Sequence, residues 1–393
     1  MLGALVLVLL LWQRPWDGAE PAPDDSPAAV SGEVATELAA QFRALSAAGS
    51  EQELIVAAGP GDEARAWATR TWANLRALGA HDVELRYTRG GPAEAFVDVT
   101  WTPGVDAGLG AAPIHRVSVA FTLESVKDGY SVQDAHVRSD PLPLWLAGRV
   151  TVEATGRARV LRVDGGAVGE VAPLAAAALT QVRGLVPGAT GELTVVSPDS
   201  AARAAALLGR PPEQLADIAA VTTRLGGAQQ PDGPPVVVLN PAVFATMDAR
   251  AAQVVMTHEA THVLTGVLSA GADAWVVEGF ADFVALHDDE APLSVSAGQV
   301  LAEVEADGPP VALPSVADFE GARGDLGAVY ESAWMAFRML GERFDDAAVA
   351  GFYTDVRDGA AAEQALRERF GLDLETFTAQ WRDYLTKSAS TVS

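Results

Sequence analysis

The sequence carries His258-Glu259-Ala260-Thr261-His262 within a stretch, Ala249 to Leu268, that has helical spacing. Two histidines four positions apart on a helix lie one turn apart on the same face. Their imidazoles can close on a single Zn²⁺ at about 2.0–2.1 Å, with Glu259 beside the open coordination position. With 6 His and 52 acidic residues in 393 positions, roughly 0.01 such motifs arise by chance. A catalytic zinc usually keeps three protein ligands, and two His with one Glu is a known set. Glu278 fits the third position: it follows a break at Ser269-Ala270-Gly271-Ala272-Asp273 and opens a second helical stretch, so the chain can reverse and return to the metal. Asp282, one turn further on the same face, can accept a hydrogen bond from the free ring nitrogen of a ligand His. A third His six residues after His262 would give a different zinc set, but that position is Leu268.

These residues need two helices held face to face. Asp248 is the expected N-cap of the first, and Gly266 and Gly271 lie near its end. Val254, Val255, Val263 and Leu264 bury one side of it. A third helix, Tyr330 to Leu340, has Tyr330 at its start and Trp334 and Phe337 along its apolar face. Glu363–Phe370 and Leu374–Leu385 complete an all-helical C-terminal part. His287-Asp288-Asp289-Glu290 invites a second metal site; a solvated acidic loop after a helix end is the preferred reading.

His258-Glu259-x-x-His262 followed by Glu278-x-x-x-Asp282 resembles the gluzincin metallopeptidases, the thermolysin and zinc-aminopeptidase group. It is similar, more closely, to bacterial membrane-anchored proteins with a peptidase-MA-like domain. The resemblance is specific from about Val236 to Tyr384 and only architectural before that. It implies one Zn²⁺, a peptide or protein substrate, and hydrolysis by a metal-activated water with Glu259 as general base. It implies a Tyr that donates to the tetrahedral oxyanion, for which Tyr330 is the candidate; a packing role for Tyr330 stays open. It implies an edge strand that pairs with extended substrate, which Val236 to Asn240 resembles; an interior strand without a ligand is the alternative. The Gly-x-Met-Glu-Asn pattern of the aminopeptidases is absent, which favours an endopeptidase. The competing function is a non-catalytic, surface-anchored binding protein on a peptidase-like scaffold.

The rest of the chain reads as α+β in three parts. Residues 1–31 form an apolar anchor and a flexible acidic, Pro-rich linker; 32–146 form a helix-plus-antiparallel-sheet domain; 147–388 form the metallopeptidase domain. In the second part, two helices (Gly32–Ala47 and Asp62–Leu78) precede alternating strands near 83–87, 95–101, 116–122 and from 130. That order resembles the NTF2-like fold, an analogy without functional content. His115 and His136 fall on these strands and receive no role. Asp140-Pro141-Leu142-Pro143-Leu144-Trp145-Leu146 reads as the connector. A hairpin turning near Gly156, a helix to Leu185, and strands near 192–196 and 219–223 follow.

Leu2 to Trp12 is an unbroken apolar run, shorter than the roughly 20 residues of a spanning helix. It has no preceding basic residues and no obvious cleavage site, so the expectation is an uncleaved anchor with a truncated start. The domains then lie on the extracellular side of the cell membrane; a secreted protein and a buried N-terminal strand or helix are the alternatives. Net charge is −25, and Lys occurs only at 127 and 387. Phosphate-backbone binding needs clustered basic residues, so a nucleic-acid role is excluded. Cys is absent, which removes disulfides and thiolate zinc sites. Nothing in the sequence fixes the oligomeric state.

Overall fold

The computed structural model describes residues 7–8, 30–104, 108–109, 114–127, 129–224, 234–266, 272–321 and 326–392. It is a mixed α+β protein with two sheets. The chain opens with β1 (Leu7–Val8), then α1 (Gly32–Ala47), α2 (Glu51–Ala58) and α3 (Asp62–Leu78). Ser31 and Ser50 cap α1 and α2 by accepting from Val34 N and Glu53 N. Strands β2 (His81–Gly90), β3 (Glu94–Thr102), β4 (Ile114–Val126) and β5 (Gly129–His136) form an antiparallel meander in the order β2-β3-β4-β5. Period-two alternation sends Ala95, Val97, Val99 and Trp101 of β3 inward against Phe42, Trp67 and Phe121.

The second sheet contains β6 (Val150–Thr155), β7 (Ala158–Val163), β8 (Leu193–Ser197), β9 (Ile218–Thr223) and β10 (Val236–Leu239), with α4 (Val171–Leu185) and α5 (Ala201–Leu208) between strands. Its order is β1-β9-β10-β8-β7-β6. β7, β8 and β10 run parallel, β9 is antiparallel to β10, and β1 adds parallel to β9. β8, β9 and β10 are covered on both faces and read as largely apolar runs, whereas β6 at the edge is exposed beyond Val150. Val237 and Leu239 of β10 join one core with α4 and the helices that follow, while Val236 and Val238 join the other.

That second core is continuous with the N-terminal unit. Leu142, Leu144, Trp145 and Leu146 of the connector are buried in it, beside Leu161, Val196 and Val221 of the sheet. Asn74 of α3, fully buried, donates to the carbonyls of Trp145 (3.0 Å) and Gly148 and accepts from Val150 N at 2.8 Å. The stretch expected to be a connector is packed as core.

The remaining chain is helical: α6 (Pro241–Phe244), α7 (Ala249–Thr265), α8 (Ala274–Ala285), α9 (Leu293–Ser296), α10 (Gly298–Asp307), α11 (Val316–Gly321), α12 (Leu326–Gly341), α13 (Asp346–Arg357), α14 (Ala362–Phe370) and α15 (Leu374–Val392). No helix among the described residues is long and apolar enough to cross a membrane. Of the expected anchor, Leu7 and Val8 form β1; the rest of it and most of the linker lie outside the described residues.

Candidate metal centre

Helix α7 starts where Asp248 accepts from Ala251 N at 2.8 Å and stops where Gly266 takes a left-handed φ of 72°. Between these signals it is buried on every side from Val255 to Thr265, against α4, α8 and the sheet. Thr is a poor helix former, and burial would orphan its hydroxyl. The chain answers both problems with a ladder, Thr261 Oγ1 donating to Thr257 O (2.8 Å) and Thr265 Oγ1 to Thr261 O (2.7 Å). His258 and His262 occupy a different face of the same helix.

Helix α8 is buried throughout. Trp275 packs on Phe337, Phe352 and Phe377, and Phe280 stacks on Tyr353 with centroids 4.0 Å apart. Glu278 and Asp282 are the two charges on this apolar helix, and both turn toward α7. Gly279 sets how closely α8 meets α12: a Cβ there would lie 2.5 Å from Ala333 O and 2.9 Å from Phe337 Cδ2. The outer ends of α7 and α8 are tied by Arg250, which donates to Asp289 Oδ1 at 2.8 Å, to Asp289 Oδ2 and to Ser296 Oγ at 2.7 Å.

Three buried atoms converge between these helices. His262 Nε2 lies 2.9 Å from His258 Nε2, and Glu278 Oε2 lies 3.2 Å from the first imidazole's Nε2 on His258 and 3.5 Å from that of His262. Ligands at about 2.0–2.1 Å from a tetrahedral ion sit about 3.3–3.4 Å apart, so the triangle has the size of one face of such a site. The protonation pattern agrees. Asp282 Oδ1 is 2.6 Å from His258 Nδ1, and a carboxylate can only accept, so Nδ1 holds a ring proton and Nε2 is the nitrogen that faces His262 and Glu278. Glu278 Oε2 has no hydrogen-bond partner among the described residues. His258, His262 and Glu278 are the one metal-capable cluster of this kind among the described residues.

The electrostatics point the same way. Glu259, Glu278 and Asp282 are each at most 4% exposed, and the ion-pair partners of the last two among the described residues are imidazoles. Burying charge costs several kcal/mol per ion without close compensation, which a cation at the centre of the triangle would supply. Without it, the groups shift. Burial works against a charged His258, but Asp282 and Glu278 outweigh it and raise its pKa to about 10. Burial lowers His262. Burial opposes the ionised Glu278, yet the imidazoles of His262 and His258 hold its carboxyl below the ordinary carboxylate range.

Glu259 faces the sheet side of α7. Burial pushes its carboxyl up to about 7, tempered by His258 and by a hydrogen bond that Thr222 Oγ1 of β9 donates to its Oε2. Its Oε1 is unpartnered among the described residues. Tyr330 of α12 is 4% exposed, with its ring centroid 6.1 Å from that of His258 and 5.0 Å from that of Phe319. Burial, then the charges of Glu278, Asp282 and Glu259, raise its hydroxyl well above its usual value. All six residues picked from the sequence therefore lie in one buried cluster.

Other expectations change. Strand Val236 to Asn240 is interior: β10 lies between β8 and β9 with all four residues buried. Pro235 precedes the strand and Pro241 starts α6, so neither removes a ladder donor. The strand beside the cluster is β9. His287 sits 3.5 Å from Asp346 Oδ2, and Asp289 is engaged by Arg250, whose hydrogen bond lowers its pKa. His136 pairs with Glu94 at the surface, and the His115 side chain is outside the described residues. Thr222 and Gly279 escaped sequence reading; the one signal was a hydroxyl residue ending an otherwise apolar run, Ile218 to Val221. Compared with known proteins, the chain matches no family model and no curated sequence.

Proposed function

We propose that this chain is a zinc-dependent hydrolase of peptide bonds, of the gluzincin kind, with His258, His262 and Glu278 as ligands and endopeptidase action favoured. The observation that carries the reading is the triangle of three buried metal-capable atoms, with a further carboxylate, Glu259, on the next residue after His258. When bound, Zn²⁺ supplies a Lewis acid that polarises a carbonyl and lowers the pKa of water toward about 7. Asp282 keeps the His258 proton on Nδ1 and the ring oriented. Glu259 takes a proton from the attacking water and delivers it to the leaving amine. Tyr330, kept protonated far above neutral pH, donates to the carbonyl oxygen as negative charge builds there. The finer architecture belongs to the same proposal: an NTF2-like unit ahead of a gluzincin domain, outside the cell membrane; the pairing of Leu7 and Val8 with β9 favours the N-terminal strand over an anchor for that part of the apolar run.

The test is elemental analysis of the purified full chain, followed by a peptide-library assay with and without chelator. We expect about one zinc per chain, hydrolysis that stops on chelation and returns with Zn²⁺, and Glu259→Gln that binds zinc without turnover. Zinc binding without hydrolysis of any peptide favours a binding protein on this scaffold. A protein that holds no zinc overturns the reading.

A further inference from the structure

We infer that Thr222 is the positioning residue for Glu259, and that it fixes which carboxylate oxygen carries the proton. The inference rests on Glu259 being the general base. Thr222 is completely buried near the end of β9, whose preceding residues Ile218, Ala219, Ala220 and Val221 are apolar and buried. A buried hydroxyl is costly unless it is paired. Both acceptors within reach belong to Glu259: the carboxylate Oε2, and the backbone carbonyl at 3.3 Å. A hydroxyl has one proton to give, and the carboxylate is the closer and the charged acceptor.

The consequence is an asymmetric carboxylate. Oε2 is occupied by Thr222, while Oε1 is buried with no partner among the described residues. Thr222 itself stands on a fixed strand, opposite Val237 in the antiparallel β9–β10 pair. The flexible Glu side chain is therefore pinned by one oxygen to the sheet, and the other keeps its lone pairs for chemistry. In the reaction, an O–H bond of water breaks and the proton goes to Oε1 as the water oxygen bonds to the carbonyl carbon. The same proton leaves Oε1 for the amine nitrogen as the C–N bond breaks. Oε2 keeps the Thr222 hydrogen bond throughout.

Thr222→Val keeps the shape and removes the donor; Thr222→Ser keeps the donor. We expect Thr222→Val to lose about 10–100-fold in kcat with KM within about threefold, and Thr222→Ser to stay within about threefold of the parent. Zinc content should match the parent in both. A Thr222→Val protein with parental kcat, or a Thr222→Ser protein as damaged as the valine variant, overturns the inference. A second measurement needs no turnover. In zinc-free protein Thr222→Val should lower Tm by about 2–4 °C in the parent, and by under about 1 °C in a Glu259→Met background. Additive shifts overturn the inference. A parent that hydrolyses nothing overturns both this inference and the hydrolase reading, whereas an active parent indifferent to Thr222→Val overturns this inference alone.

Discussion

Glu259→Gln removes a proton acceptor at nearly constant volume, so its cost should fall on kcat rather than on metal content. Loss of general base catalysis predicts a fall of about 10²–10⁴-fold, read from steady-state kinetics beside zinc analysis. Asp282→Ala attacks the ligand instead: without the carboxylate, nothing holds the His258 proton on Nδ1, and zinc affinity should drop about 10–100-fold in a chelator competition. The same pair sets a pH dependence. Asp282 and Glu278 raise His258 to about 10 in the ion-free cluster, so zinc must displace a proton at any lower pH. Affinity therefore rises with pH, by about tenfold per unit for the one proton released, and is lost toward acid. A pH-independent affinity between pH 6 and 8 would contradict the His258–Asp282 pairing. The His258, Glu259 and His262 group was legible because type and spacing on one helix are local signals. Thr222 was not, since it meets Glu259 across 37 residues of sequence, a contact no local pattern encodes.

At the scale of elements, the His258–His262–Glu278 cluster depends on how α8 rests between α7 and α12. Gly279→Ala should push α8 from α12, because the new methyl meets the Ala333 carbonyl and the Phe337 ring. Overpacking of this sort costs about 1–3 kcal/mol. The carboxylate of Glu278, on the adjacent residue, should move with the helix, so calorimetry and zinc stoichiometry should fall together. Helices α1, α3 and α7, each 16 or 17 residues long, could be read from the sequence to within a few residues. α2, with only eight residues, and α13 were not read, although Ser50 and Gly59 bracket the first and Asp345 and Gly359 the second. The two readings of β10 stayed open for another reason: prolines just outside a strand imitate an edge, and only the partner strands, β8 and β9, decide for the interior one.

Across the whole molecule, the sheet that supports α7 on one face is covered on the other by the connector and the N-terminal unit. Asn74→Ala would strip partners from two carbonyls and from Val150 N at that junction. Leaving such groups buried and unpaired costs about 1–3 kcal/mol each, so for three groups we expect a loss of at least about 3 kcal/mol and no separate melting of the two parts. Two well-resolved transitions in calorimetry would show the junction to be weaker than its burial implies. The sequence marked the boundary through its prolines but could not show that Leu144, Trp145 and Leu146 turn inward, because an apolar connector and a core segment have the same composition.

The depth of the ligand atoms has a kinetic side. His258, His262 and Glu278 are at most 2% exposed, so neither a chelator nor a peptide reaches a bound ion without local opening of the helices. Extraction should then proceed at the pace of that opening and become indifferent to chelator concentration once the reagent is in excess. Metal loss and silencing of the protein would share one slow time course, and the return of Zn²⁺ would follow the same clock.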